Sequence, residues 1–216
     1  MIIGICGKKQ HGKTTAANYL RDKHGFTIVS FADALRQMVE ALDPYVETFD
    51  IWGHPQWKSA VYMRYTEATK TYGYEEAKQF PDIRRLLQRM GTEAGRGVLG
   101  PNVWVDAWKR RVKELVRTGV NVVSADVRFP NEVDAILGWP NAGHLIRVVK
   151  IGAAVVPDEH ASERYQESFN PRFVARAHDT AELEHEVAEI YGILSAGLAR
   201  TATRFTAPSD LHAGEQ

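Results

Sequence analysis

The sequence has a single cysteine, no excess of either charge and no long apolar run. Lys+Arg and Asp+Glu number 27 each, which disfavours a general binder of nucleic acid or membrane surfaces, because such proteins usually need a basic face. Cys6 alone excludes a disulfide framework and a cysteine-based zinc site, and we expect it in the core. No run approaches the roughly 18 apolar residues that span a membrane, and Met1–Cys6 lacks the basic leader of a signal peptide. We therefore expect a soluble, cytoplasmic protein.

The chain does contain an alternation of β-rich runs and segments of helical period. Its 216 residues, 44% hydrophobic and 25% charged, suit one globular domain. The alternation predicts an α/β fold in which helices flank both faces of a mostly parallel sheet. The predicted strands are 2–6, 26–31, 120–125, 145–151 and 173–177, and the main helices are about 13–23, 35–42, 83–90, 103–117 and 179–194. We place a single domain at 1–200 and expect a disordered tail at 201–216.

A short motif runs from Gly7 to Thr14 and fits the phosphate-binding pattern G-x-x-x-x-G-K-[ST] without a gap. A predicted strand precedes it and a predicted helix follows, so a chance glycine turn is the weaker alternative. Gly7 and Gly12 allow successive backbone N–H groups to turn toward phosphate oxygens, near the positive end of the following helix. We expect Lys13 to reach the β- and γ-phosphates of ATP and Thr14 to bind Mg²⁺, with Thr15 completing the nucleotide-binding loop.

A carboxylate follows the apolar strand 120–125. Ligands of open α/β sheets bind beyond the carboxyl ends of the strands, so we expect Asp126 to hold Mg²⁺ directly or through water. Capping of the next turn is the alternative. Arg128, two residues further on, is a candidate to bind the transferring phosphoryl group or the acceptor's phosphate. Asn131 and Glu132 begin the next predicted helix, and for both residues a functional role and helix capping are equally open.

Other polar residues suggest an acceptor site. Asp33 follows a predicted strand and would orient or deprotonate the acceptor oxygen, while Arg36 would bind the acceptor's phosphate. Helix capping by Asp33 and a solvated Arg36 are the alternative. We interpret 44–100 as an acceptor-binding insertion whose aromatic-rich part, 44–81, is largely helical, and Gly91 and Gly95 are expected to interrupt the chain after the helix at 83–90. The insertion and its surroundings supply further candidate contacts: Arg89, Thr92, Glu93, Arg96 and a stacking ring from Trp104. A place in the core is the alternative for Trp104, and it is what we expect for Trp108.

A flap is predicted at about 157–171. Its Arg164 would cover the phosphates and exclude water from the reaction. A solvated helical turn is the alternative for this segment.

With these residues in place, the chain resembles the deoxynucleoside monophosphate kinases of bacteriophages, which are relatives of the adenylate-kinase-like P-loop kinases. The matching pieces are the loop at 7–15 and the segments 31–36, 87–96, 124–132 and 160–163, in the order that the family uses. The segment 124–132 (Ser-Ala-Asp-Val-Arg-Phe-Pro-Asn-Glu) is more specific than the loop, which many NTPases share. The aromatic-rich 44–81 matches nothing that we can place, and Arg36 stands where Lys is about as common.

The resemblance implies ATP- and Mg²⁺-dependent conversion of deoxynucleoside monophosphates to diphosphates, with small nucleotides as partners. It also implies an acceptor site built from Asp33, Arg36, Arg128 and the segment 91–96. A kinase of another phosphorylated metabolite is the rival among enzymes. A nucleotide-gated switch is the rival outside kinases, although the chain has no Asn-Lys-x-Asp guanine-reading tetrapeptide. The sequence leaves open whether the chain forms a homodimer.

Overall fold

The computed structural model describes residues 1–49, 60–139, 142–153, 165 and 168–206, with only the backbone of 198–206. Within these residues the strands are β1 (Ile2–Cys6), β2 (Thr27–Ile28), β3 (Tyr45–Phe49), β4 (Ala60–Arg64), β5 (Val122–Ser124), β6 (Gly143–Lys150) and β7 (Phe173–Ala177). The helices are α1 (Lys13–His24), α2 (Asp33–Leu42), α3 (Tyr65–Tyr72), α4 (Tyr74–Ala77), α5 (Pro81–Gln88), α6 (Val103–Arg117), α7 (Pro130–Leu137) and α8 (Thr180–Thr206). A π-helical segment, Arg89–Leu99, follows α5.

The chain divides into two compact units. The first unit combines Met1–Ile28 with the chain from Asn121 onward, and the second unit is Val29–Val120. The predicted single domain at 1–200, with its insertion and flap, stays a prediction. No helix among the described residues has both the length and the apolar character needed to cross a membrane.

The first unit is built on a five-stranded parallel sheet with the order β2-β5-β1-β6-β7. Its central strand β1 is completely buried, as expected for a parallel strand that is covered on both faces. Ile3 and Ile5 belong to the core that α1 and α8 form over one face. Gly4 points to the other face, where a Cβ atom would lie 2.3 Å from Ile136 of α7. The predicted three-layer α/β architecture, typical of P-loop nucleoside monophosphate kinases, is therefore confirmed.

Asp179 caps the beginning of α8. The backbone N–H of Glu182 donates a hydrogen bond to the Asp179 carboxylate at 2.9 Å. The apolar stripe of this helix is buried, and it consists of Leu183, Val187, Ile190 and Leu194. The helix continues to Thr206, and residues 207–216 of the predicted tail lie outside the described residues.

The second unit corrects the interpretation of 44–81 as largely helical. Strands β3 and β4 form an antiparallel pair within that range, and α3 and α4 follow. Val46 and Thr48 are buried while Tyr45 is exposed, which is the alternation of a half-buried strand. Aromatic residues at exposed positions, such as Tyr45 and Tyr62, obscure this period of two in the sequence. The pair packs on a core that comprises Val39, Val46, Tyr65, Ala68, Ala77 and Ile83.

The prediction that Gly91 and Gly95 interrupt the helical chain was also wrong. The chain stays helical through both residues, in the wider π form. A Cβ atom on Gly95 would lie 2.3 Å from the Trp104 ring, and one on Gly91 would lie 3.0 Å from Leu35. These glycines therefore allow close packing inside a helix. The second predicted strand is also shorter than expected, since only Thr27–Ile28 pair within 26–31.

The buried hydroxyl of Tyr65 should lower the stability of the folded protein. The Tyr65 side chain is fully buried, and its hydroxyl has no hydrogen-bond partner among the described residues. Burial raises the pKa of this phenol to about 12, and the neighbouring Tyr74 and Glu40 add to the shift. We expect Tyr65→Phe to raise the free energy of unfolding by about 1 kcal/mol at pH 8, because an unpaired polar group leaves the core.

The advantage of Tyr65→Phe should grow with pH. A tyrosine in the unfolded chain titrates near 10, so the stability associated with the neutral Tyr65 is complete below that pH and is lost as pH rises toward about 12. Urea unfolding at pH 8 and pH 10.5 measures both effects. Tyr62→Phe is the control, because that ring is 66% exposed. A Tyr65→Phe protein less stable than the wild type would contradict the prediction.

Candidate functional site

The loop between β1 and α1 has no room for side chains at its two glycines. Gly7 and Gly12 have φ angles of 143° and 95°, which L residues rarely adopt. A Cβ atom on Gly7 would lie 2.3 Å from the carbonyl oxygen of Val148 in β6, and one on Gly12 would lie 2.7 Å from Leu183 in α8. Gln10 also has a positive φ of 64°. The loop thus curls tightly against the edge of the sheet, as a loop that turns its amides toward phosphate must.

Lys13 brings a positive charge to this loop. Its ammonium group donates to the carbonyl oxygens of Gly7 and Lys8 at 2.5 and 2.8 Å. The first turn of α1 contains no acidic residue, so nothing in that turn opposes an anion at the positive end of the helix. Thr14 is exposed and Thr15 is half-buried. The curled backbone, the ammonium and the helix end together fit a chain of phosphate groups.

Asp126 lies at the same edge of the sheet as this loop. Ser124, the last residue of β5, pairs with Gly4 of β1, and the half-buried Asp126 follows two residues later. Because β5 and β1 are parallel neighbours, Asp126 and the loop after Cys6 both follow the carboxyl ends of their strands. A hydroxyl, a carboxylate and phosphate oxygens suffice to hold Mg²⁺, and Thr14 and Asp126 are the residues here that could supply the protein ligands.

Glu132 is a capping residue. It is the third residue of α7 and is only 2% exposed. One oxygen of its carboxylate accepts hydrogen bonds from the backbone N–H groups of Arg128 and Phe129, at 2.7 and 3.0 Å. The capping interpretation therefore holds for this residue. The cap fixes the backbone that carries the exposed Arg128 side chain, while Val127 before it is fully buried.

Arg147 in β6 was not among the predicted site residues. Arg147 pairs in register with Cys6, and its guanidinium donates to the carbonyl oxygen of Phe169 at 2.6 Å. Burial raises the pKa of the Cys6 thiol, and Arg147 partly opposes that shift. The sequence feature that marks Arg147 is its charge within the mainly apolar run 145–151. Arg164 and residues 160–163 of the predicted flap lie outside the described residues.

In the second unit, Asp33 and Arg36 lie together at the start of α2. The Asp33 carboxylate accepts from the backbone N–H of Ser30 at 2.8 Å and from Arg36 Nη1 at 3.2 Å. The guanidinium carbon of Arg36 lies 4.6 Å from the centre of the Tyr74 ring. Asp33 therefore does cap the chain, as the alternative predicted, but Arg36 is held between two partners and is not simply solvated.

The π-helical segment and α6 carry the other candidate acceptor contacts. Arg89 and Glu93 form an exposed ion pair at 3.2 Å, Arg96 donates to the carbonyl oxygen of Pro101 at 3.2 Å, and Thr92 is exposed. Trp104 is only 6% exposed, and its indole N–H donates to the Gly91 carbonyl oxygen at 2.8 Å. These contacts favour a packing role for Trp104 over base stacking. The expected core residue Trp108 is 2% exposed and stacks on Phe31 at 4.6 Å.

A pocket of about 530 Å³ opens in the second unit beside these residues. Its lining includes Arg89 and Glu93, together with Asp82, Arg85 and Tyr45, and the apolar Leu86 and Met90. Asp33, Arg36, Thr92, Arg96 and Trp104 do not line it. Among the predicted acceptor residues of the second unit, Arg89 and Glu93 therefore line this pocket and Asp33 and Arg36 form a pair at α2, whereas the other three belong to neither group.

Comparison with known proteins extends these observations. The chain matches no protein-family model. It is 32% identical over 181 residues to a protein of Acanthamoeba polyphaga mimivirus that bears the name "putative deoxynucleotide monophosphate kinase". The match covers 76% of this chain and 80% of the mimivirus protein. Neither unit alone makes up that share of the chain, so the similarity includes residues of both.

The tight loop gives a prediction for Gly7. We expect Gly7→Ala to lower the free energy of unfolding by about 2 kcal/mol or more, because the new methyl group meets both an unfavourable φ and the Val148 carbonyl. Gly25→Ala is the matched control, since Gly25 also has a positive φ, 68°, but has open space around its Cβ position; it should cost about 1 kcal/mol. Urea unfolding compares the two, and equal losses would show that the loop has room for a methyl group.

The buried cap gives a prediction for Glu132. Glu132→Ala leaves two backbone N–H groups without their acceptor, and we expect a loss of about 2 kcal/mol in unfolding free energy. Glu182→Ala is the control, because its carboxylate also accepts a backbone N–H, that of His178 at 2.7 Å, but is 43% exposed so that water can replace it. Thermal and urea unfolding should therefore show a smaller loss for Glu182→Ala. A loss at Glu132 no larger than that at Glu182 would contradict the capping role.

Proposed function

Because the chain belongs to the deoxynucleotide monophosphate kinase family, we propose that it transfers the γ-phosphoryl group of ATP to a deoxynucleoside 5′-monophosphate, giving the diphosphate and ADP. The observation that carries this proposal is the loop from Gly7 to Thr14, which curls at the carboxyl end of the central strand and contains Lys13, whose ammonium group donates to the Gly7 carbonyl oxygen. The named relative comes from a mimivirus, so the expected likeness to bacteriophage enzymes in particular stays a prediction.

The donor phosphates are assigned to residues of the first unit. Backbone N–H groups of the loop would bind their oxygens, and Lys13 would exchange the Gly7 and Lys8 carbonyl oxygens for those of the β- and γ-phosphates. Mg²⁺ held by Thr14 and Asp126 would offset the negative charge of the same phosphates. We propose that Arg128 offsets charge on the transferring group, together with Arg164 of the predicted flap at 157–171.

The acceptor's phosphate is assigned to Arg36, with Asp33 orienting it. A bond forms between an oxygen of that phosphate and the γ-phosphorus, the bond from this phosphorus to the β,γ-bridging oxygen breaks, and its electron pair leaves with ADP. A phosphate monoester is already anionic near neutral pH, so Asp33 need not remove a proton from it. Positioning and the exclusion of water would therefore supply most of the rate.

The charged residues after α5 are proposed to contact the nucleoside part of the acceptor. Arg89 and Glu93 line the pocket of about 530 Å³, which offers room for a base and a sugar. The proposed contacts also include Thr92 and Arg96. Trp104 remains a proposed neighbour of the acceptor through its bond to the Gly91 carbonyl.

Lys13→Ala tests the proposed reaction. We expect a loss of about 100-fold or more in kcat, because a charge that stabilises the transferring group is removed. ADP release from Mg·ATP would be measured with each of the four deoxynucleoside monophosphates and their ribose counterparts. Lys9→Ala is the matched control, since Lys9 is an exposed lysine of the same loop, and its activity should stay within about threefold.

Other outcomes separate the rival functions. Normal turnover by Lys13→Ala would refute this use of the loop. No stimulation by any nucleotide monophosphate, but turnover with another phosphorylated metabolite, would assign a different acceptor. ATP hydrolysis that needs a macromolecule and no small acceptor would indicate a nucleotide-gated switch.

A further inference from the structure

Arg36 is restrained by two different kinds of contact. Its Nη1 donates to Asp33 at 3.2 Å, and the side chain is 34% exposed. Its guanidinium carbon lies over the ring of Tyr74, 4.6 Å from the ring centre. This distance is within the range of a favourable cation–π interaction. The long, flexible Arg36 side chain is thereby restrained by a carboxylate of its own helix, α2, and by an aromatic ring of α4.

The ring comes from the aromatic-rich segment that the sequence analysis could not place. Tyr74 is the first residue of α4, and Gly73, with a φ of 77°, turns the chain between α3 and α4. Ala77, at the other end of α4, is fully buried in the core of the second unit. The ring is therefore fixed by an element that is itself packed. The ammonium group of Lys78 lies 5.4 Å from the centre of the same ring, which places a second cation there.

The two contacts affect the arginine differently. A carboxylate restrains a guanidinium but also neutralises its charge, which weakens its attraction for a phosphate. An aromatic ring restrains the guanidinium through its face and leaves the charge in place, while the N–H donors remain at the edge of the group. An arginine that must bind an anion in a defined orientation benefits from the second kind of contact.

We propose that Tyr74 is a positioning residue that holds the Arg36 guanidinium for the phosphate of the acceptor nucleotide. This inference rests on the proposed function and deepens it. It gives the aromatic-rich segment a role at the phosphate of the acceptor, in addition to any contact with the base.

The first test is a kinetic comparison of Tyr74→Leu and Tyr74→Phe in the full chain. Tyr74→Leu should raise KM for the deoxynucleoside monophosphate by about fivefold to tenfold, because the ring face is lost, and should leave KM for ATP unchanged. Tyr74→Phe keeps the ring and should restore the wild-type KM. Tyr72→Leu is the control for the loss of a ring in the same segment, since Tyr72 packs against Phe80 at 5.0 Å; its KM values should not change. Thermal unfolding of each variant separates positioning from a loss of stability.

A double-mutant cycle with Arg36→Ala supplies the second test. If Tyr74 acts through Arg36, adding Tyr74→Leu to Arg36→Ala should change KM for the acceptor by less than about twofold. Additive effects would overturn the inference. So would an active wild-type protein in which Tyr74→Leu leaves KM for the acceptor unchanged. A wild-type protein that neither binds nor phosphorylates any nucleotide monophosphate would instead refute the proposed function, and the inference with it.

Discussion

The contact between the loop after β1 and the neighbouring strand β6 constrains the rest of the first unit. At Gly7 the backbone passes so close to the Val148 carbonyl that no side chain fits between them, and at Gly12 a Cβ atom would lie 2.7 Å from a methyl group of Leu183 in α8. The loop can approach so closely only because β1 lies at the centre of the sheet, paired with β5 and β6. The position of Lys13, and of the amides that we assign to phosphate binding, follows from that packing.

Acidic side chains that accept backbone N–H groups set the starts of several elements. Glu132 fixes the backbone of Arg128, and Asp33 fixes that of Ser30 before α2. In both cases the carboxylate lies close in sequence to a proposed phosphate-binding arginine and also accepts a hydrogen bond from a backbone N–H. Glu132 is buried and has this role alone in our scheme, whereas Asp33 is 40% exposed and also pairs with Arg36. A capping bond and a place beside the acceptor's phosphate are therefore compatible at Asp33.

Local pattern predicted the elements whose periodicity is regular. The buried strand Ile2–Cys6, the strand Phe173–Ala177 and the helix Val103–Arg117 were predicted with the bounds that the structure shows, since uniform burial or a clear apolar stripe marks each. The antiparallel pair β3–β4 was missed because its apolar residues alternate among exposed aromatics. The π-helical segment was missed because a glycine in sequence does not reveal whether it breaks a helix or admits a neighbouring ring, as Gly95 admits Trp104.

The sequence by itself determined the α/β class, the phosphate-loop motif and the charged residues that we assign to the proposed reaction, because these depend on period, spacing and residue type. Only the tertiary structure decided what each of those residues contacts. It showed that Glu132 is a cap, that Trp104 is packed beneath Gly95, and that Arg147 and Tyr74 lie beside Cys6 and Arg36. Such contacts join residues far apart in the chain, and they depend on how strands and helices pack, which no local pattern records.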